Sequence, residues 1–84
     1  MSAPPVPPMG WEKLADVPGD VTFGEWLAGE LERHRIGIRN LARWAGLDHA
    51  TVSRIARGDR EPSLATAVRI VLAVRAWRRA RGIR

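Results

Sequence analysis

The apolar positions between Ile36 and Gly58 recur every three to five residues and predict two short helices. Residues at this spacing share one side of a helix, so each helix has one stripe to bury. Gly46 interrupts the pattern, and it can close the first helix in a left-handed conformation because it has no Cβ to clash. We therefore expect a tight turn at Gly46-Leu47 that brings the two stripes together. The stripe residues are Ile36, Leu41, Ala42, Ala45, Leu47, Val52 and Ile55.

The second of these helices is expected to begin at a capped turn and to expose a slim polar side. Asp48 is predicted to accept a hydrogen bond from the Thr51 N–H, while Leu47 and Val52 form a hydrophobic staple around it. The outward side then holds only small or hydrogen-bonding residues, and some of them are cationic. A helix with such a side can enter the major groove of DNA. The outward residues are His49, Ala50, Ser53, Arg54 and Arg57.

One more helix is predicted before this pair of helices, and another after it. Thr22 and Glu25 have the spacing of a capping box, so a first helix begins there. Its inward stripe is Phe23, Trp26, Leu27 and Leu31, while Glu30 is expected to face solvent. Ser63 is a cap for the last helix, which has no breaker until Gly82.

The last helix is apolar on two sides, and each side is expected to be buried. The first side should close the core of the domain through Leu64, Ala67, Val68, Val71 and Leu72. The second side lies roughly 140° away on the helix and holds Ile70, Ala73, Val74, Trp77 and Ala80. We predict a dimer or docking face there, formed by Ile70, Val74 and Trp77. Its partner is either a second protomer, which is favoured, or the segment around Trp11.

The chain divides into three parts by composition. Residues 1–10 hold four of the six prolines and are predicted to be a disordered tail. Residues 11–20 are predicted to be a short segment, docked or frayed, in which Trp11, Leu14 and Ala15 precede the breaker Pro18-Gly19. Residues 21–84 form the folded domain.

Charge is segregated along the chain. Residues 1–32 carry one lysine and six acidic residues, a net charge of −5, whereas residues 33–84 carry thirteen arginines and three acidic residues, a net charge of +10. A basic half of this kind favours a polyanionic partner. There is no cysteine and there are only two histidines, so we expect no metal site and no cofactor. No run of 18 apolar residues is present, and the expected location is the cytoplasm, with no membrane contact.

The run LARWAGLDHATVSRIARGDREPSLAT resembles the phage-repressor-like (Xre/Cro) helix-turn-helix family. The resemblance covers about residues 22–74 and implies a compact, all-α, λ-repressor-like domain of four helices, or five with a short turn before them. Departures from the family pattern include Gly37, where the family has serine or threonine, and Trp44, where it has an exposed charged residue. Ile38 occupies the place of a glutamine that contacts the DNA backbone, and the last helix continues past Arg75. The matching residues are Leu41, Ala42, Ala45, Gly46, Leu47, Asp48, Thr51, Val52, Ser53, Arg54, Ile55, Gly58, Pro62, Ser63 and Leu64.

The resemblance implies a sequence-specific transcriptional regulator, a repressor, that binds double-stranded DNA and is nucleoid-associated when bound. Residues 48–57 would form the recognition helix in the major groove. Base contacts are then expected from His49, Ala50, Ser53 and Arg54. Phosphate contacts are expected from Arg39, Asn40, Arg43, Thr51, Arg57 and Arg60, although Thr51 has an equal alternative as the cap partner of Asp48.

A different class of function stays open at this point. A protein-interaction module, such as an antitoxin or an adaptor, would use the N-terminal tail and the second apolar side of the last helix. An enzyme is not expected, since the sequence has no phosphate-binding glycine loop and no nucleophile paired with a base. Trp44 also has alternatives: it packs on the Trp11 segment, lies beside the DNA backbone, or is simply half-buried, which is favoured.

Overall fold

The computed structural model describes Val17 and residues 21–82, and this part of the chain is all-α, with four helices and no strand. The helices are α1 (Phe23–Arg33), α2 (Ile38–Ala45), α3 (His49–Ala56) and α4 (Leu64–Ala80). The predicted helical class and the number of helices are confirmed. The predictions for residues 1–10, and for residues 11–20 except Val17, lie outside the described residues. No helix in the described part has the length and apolarity needed to cross a membrane.

The capping box at the start of α1 is present as predicted. The Thr22 hydroxyl accepts from the Glu25 N–H at 3.1 Å, and the Glu25 carboxylate accepts from the Thr22 N–H at 2.9 Å. Hydrogen bonds from the Thr22 backbone and then its side chain stabilise the ionised carboxylate, and they lower the pKa of Glu25. Two N–H groups that the helix itself cannot satisfy are thereby paired.

The first turn of α1 lies directly against the end of α3. Gly24 is buried there, and a Cβ built on it would overlap the Ile55 carbonyl oxygen. A glycine is therefore required for the close approach of the two backbones. This contact sets where α3 sits relative to α1.

The core is one cluster to which all four helices, and the link between α1 and α2, contribute. Leu27 comes from α1, Leu41 from α2, and both are fully buried. Val52 from α3 and Ile70 from α4 are fully buried against them. The complete cluster is Leu27, Ile36, Leu41, Ala42, Ala45, Val52, Ile55, Ile70, Ala73 and Val74.

The prediction for the two apolar sides of α4 is wrong in part, because the second side packs in the core and the first side is buried only at Ala67 and Val71. Ile70 and Val74 are fully buried members of the core cluster, whereas Leu64 is 39% and Leu72 is 44% exposed. Trp77 is partly buried and packs against the same cluster. The face assigned to a dimer or a docked segment is therefore not open to a partner. The periodicity of α4 identifies two stripes, but only the position of α2 against α4 decides which residues of each stripe are buried.

Other expectations for α4 are confirmed. The Ser63 hydroxyl accepts from the Thr66 N–H at 3.1 Å, and the helix runs through Arg75 without a break. It ends at Ala80, before Gly82, which has a φ of 75°. Ala67 and Val71 are buried, as predicted for the first stripe.

A buried carboxylate joins the ends of α1 and α4, contrary to the expectation that it faces solvent. Glu30 is only 4% exposed and forms an ion pair with Arg33. Its Oε1 lies 3.8 Å from a guanidinium nitrogen of Arg78 and 3.5 Å from Nε2 of His34. Burial of a carboxylate requires partners of this kind, because an unpaired buried charge is strongly unfavourable.

The contact at Gly24 generates a prediction with a matched control in the same helix. Gly24→Ala should lower the free energy of unfolding by about 1–3 kcal/mol, because the added methyl overlaps the Ile55 carbonyl oxygen and the helices must separate. Gly29→Ala should raise it by about 0.5–1 kcal/mol, since nothing lies within 4 Å of an added Cβ and alanine favours the helix. Urea unfolding followed by circular dichroism measures both. A Gly24→Ala variant as stable as the Gly29→Ala variant would contradict the close approach.

Candidate nucleic-acid interface

Helices α2 and α3 pack against each other across the turn Gly46, Leu47 and Asp48. Gly46 has a φ of 70°, the left-handed conformation predicted for it. The Leu47 N–H donates to the Ala42 carbonyl at 2.8 Å, so the turn closes the end of α2 with backbone hydrogen bonds. The chain reverses in this short distance, and α3 begins at His49.

The predicted side-chain cap at the start of α3 is wrong. Asp48 occupies the N-cap position with extended backbone, but its carboxylate accepts no capping hydrogen bond from Thr51. Its Oδ1 instead lies 4.0 Å from Nδ1 of His49. Backbone geometry alone identifies the N-cap residue, whereas it does not decide the direction of the side chain. The Asp48 carboxylate therefore stands beside the outward side of α3.

Helix α3 has one buried and one outward side, as the sequence pattern predicts. Val52 and Ile55 are buried. The opposite side spans about 140° of the helix circumference, at 100° per residue. It brings together the four predicted base-reading residues and one predicted phosphate contact. His49, Arg54 and Arg57 are exposed on it, and Ala50 and Ser53 are partly buried.

The other predicted phosphate contacts lie on α2 and in the loop after α3. Arg39, Asn40 and Arg43 are exposed on α2, and Arg60 is exposed in the loop before α4. Thr51 is partly buried at the side of α3, between the inward and outward residues. Ile38, in the place of the family's glutamine, packs against the core, so it offers no polar contact to DNA.

An acidic residue already neighbours one of the outward arginines. The Arg57 Nε lies 3.4 Å from Oδ2 of Asp59, and both side chains are largely exposed. Ion pairs in this setting contribute at most about 1 kcal/mol, because solvent screens them. A phosphate could therefore replace Asp59 as the partner of Arg57 at little cost.

An aromatic surface connects α2 to the last turns of α4. The rings of Trp44 and Trp77 lie 5.4 Å apart between centroids, tilted by 60°. Trp44 is 46% exposed, so the favoured prediction of a half-buried ring is confirmed. The Arg81 guanidinium lies 5.8 Å from the Trp77 centroid, in cation–π range. The sequence pattern missed this pairing because its two members belong to helices that are distant along the chain.

The chain matches no protein-family model, no curated protein and no solved structure. Within Val17 and residues 21–82, no three histidine or acidic side chains lie close enough together to hold a metal ion. The outward side of α3 and its charged surroundings are therefore the features that indicate a function.

The difference between the two N-caps generates a stability prediction. Ser63→Ala should lower the free energy of unfolding by about 1 kcal/mol, because the Thr66 N–H loses its acceptor. Asp48→Ala should change it by less than about 0.5 kcal/mol, since no capping hydrogen bond is lost. Chemical denaturation of both variants under the same conditions makes the comparison. Equal losses would mean that Asp48 does cap α3 in solution.

Proposed function

We propose that this chain is a sequence-specific DNA-binding transcriptional regulator, a repressor, with α2 and α3 as a helix-turn-helix. The observation that carries the proposal is the outward side of α3, which is polar and cationic, while its inward side supplies core residues. An α-helix fits the major groove, and small residues allow its backbone to approach the bases closely. The resemblance of this region to the phage-repressor-like family supports the same role.

Base reading is assigned to four outward residues. Arg54 is exposed one turn into the helix, and its guanidinium can donate two hydrogen bonds to a guanine edge. Ala50 offers a methyl group for contact with a thymine methyl, and Ser53 and His49 offer hydrogen-bonding groups. The Asp48 carboxylate beside His49 repels phosphates, so it favours a base contact for this end of the helix.

Phosphate binding is assigned to the exposed polar residues on both sides of α3. Arg39, Asn40 and Arg43 precede the turn, and Arg57 and Arg60 follow the helix. Contacts of this kind fix the register of the protein on the duplex but do not read sequence. Thr51 belongs to this group through the family resemblance.

The alternative function, a protein-interaction module, required a binding surface on α4 that is not exposed. That reading used the Ile70, Val74 and Trp77 side of α4 as a binding surface, but Ile70 and Val74 are fully buried in the core. For the same reason the proposal includes no homodimer through this side. A single chain would then recognise one half-site, without the inverted repeat that a two-fold dimer requires.

The role of Arg54 can be tested once a preferred site has been selected from a random DNA library. Arg54→Ala should weaken binding to that site by about 1–3 kcal/mol and leave binding to random duplex DNA nearly unchanged, because a guanine contact is made only at the specific site. Fluorescence anisotropy at one fixed salt concentration measures both affinities. Arg79→Ala is the control, since Arg79 is exposed near the far end of α4. Equal loss on both DNAs would make Arg54 a phosphate contact.

Salt dependence tests the phosphate contacts separately. Each neutralised phosphate contributes about −0.9 to the slope of log K against log salt concentration. Arg57→Gln and Arg60→Gln should each make the slope shallower by about one unit, and Arg79→Gln should leave it unchanged. The measurement is the affinity for random duplex over a series of salt concentrations. Slopes that stay at the wild-type value in both variants would remove Arg57 and Arg60 from the interface.

A further inference from the structure

A groove opens between the first turn of α1 and the first turn of α4. Its volume is about 400 Å³, and Ile55 of α3 is part of its lining. Phe23, Pro62, Leu64 and Ala67 supply further apolar lining, and Arg60 lies at its edge. Glu61 lines the groove next to Arg60, so the groove is mainly apolar and has one side chain of each charge.

Two apolar side chains at this groove are partly exposed to solvent. Leu64 lines it and is 39% exposed, and Val21, one residue before the lining residue Thr22, is 38% exposed. Leaving such residues in water is unfavourable by roughly 25 cal/mol for each Å² of apolar surface. A contiguous apolar depression on a small domain is the kind of surface that binds an apolar segment.

We propose that this groove binds the chain's own segment 11–16, with Trp11 as the anchoring side chain. The segment lies outside the described residues, and the described chain from Val21 onward begins beside the groove, because Thr22 forms part of the lining. Ten residues separate Trp11 from Thr22, and a chain of that length reaches at most about 33–36 Å. Pro18-Gly19 supplies a turn at which the chain can reverse toward the groove.

The composition of the segment suits the groove. Trp11, Leu14 and Ala15 share one side at helical spacing, and aromatic side chains bury about 150–250 Å² each. Residues 11–20 contain three acidic residues and one lysine, so they offer charged partners to both Arg60 and Glu61. Val17, the residue that follows the segment, is described by the structure and is partly buried. A covalently attached segment also has an effective concentration in the millimolar range, so even a weak contact is occupied.

A double-mutant cycle on the full chain tests the proposal, and α4 itself provides the control. Trp11→Ala should lower the melting temperature by at least about 4 °C, since the anchor leaves the groove. On a Leu64→Ala background the same substitution should lower it by less than half as much, because the contact is already weakened. On a Leu72→Ala background the effect should be undiminished, since Leu72 is 44% exposed and does not line the groove.

Two outcomes would overturn the proposal. Trp11→Ala could leave the melting temperature unchanged, or it could act equally on the Leu64→Ala and Leu72→Ala backgrounds. A different measurement distinguishes binding of the chain's own segment from binding of a second copy of the chain. Nuclear Overhauser contacts between the Trp11 ring and the Leu64 methyl groups are expected at every protein concentration. If they appear only as concentration and molecular mass rise together, a second copy fills the groove and the proposal is wrong.

Discussion

The burial of Val52 and Ile55 is the interaction on which the rest of this structure depends. Helix α3 has only eight residues, and a helix of that length is not stable alone in water. These two side chains, 0% and 1% exposed, hold it against the other helices. Because the inward side provides all of this packing, the outward side can be polar. In this one short helix, therefore, some residues stabilise the domain and different residues form the proposed DNA-reading surface.

Helices α1 and α2 hold α3 directly, and α4 supports it through the core and through α1. Helix α1 approaches the end of α3 so closely that Gly24 has no room for a side chain. Helix α2 meets it across the turn at Gly46, whose left-handed conformation determines where α3 begins. Helix α4 closes the core with Ile70 and Val74, and it is tied to α1 by the ion pair of Glu30 with Arg78. Removal of one partner of a buried ion pair leaves an uncompensated charge, so the pair favours a single arrangement of the two helices.

Charged residues are also divided between those that stabilise the packing of the helices and those that surround the outward side of α3. In the described part, two of the three acidic residues of α1 serve its cap and the contact with α4, namely Glu25 and Glu30. The outward side of α3 is flanked by Arg39, Arg43 and Arg60, and the exposed pair of Arg57 with Asp59 binds weakly enough to be exchanged. Substitutions on the outward side are thus expected to change affinity for a polyanion with little change in folding. This separation is the physical basis of the proposed function.

The sequence by itself determined the features that depend on local geometry. The capping box and the turn act over three or four residues, so the cap of α1 at Thr22 and the turn at Gly46 could be predicted, whereas the side-chain cap at Asp48 was predicted wrongly. The outward group of α3 could also be predicted, because a helical period with one apolar stripe leaves its opposite side exposed. The tertiary structure decided what depends on neighbours from distant parts of the chain. Two apolar stripes of α4 are equivalent in sequence, and only the position of α2 placed Ile70 rather than Leu72 in the core. The end of α4 places Arg78 beside the buried Glu30. It also places Trp77 beside Trp44. Periodicity shows that a side of a helix must be buried, but the packing of the whole chain decides which residues that side contacts.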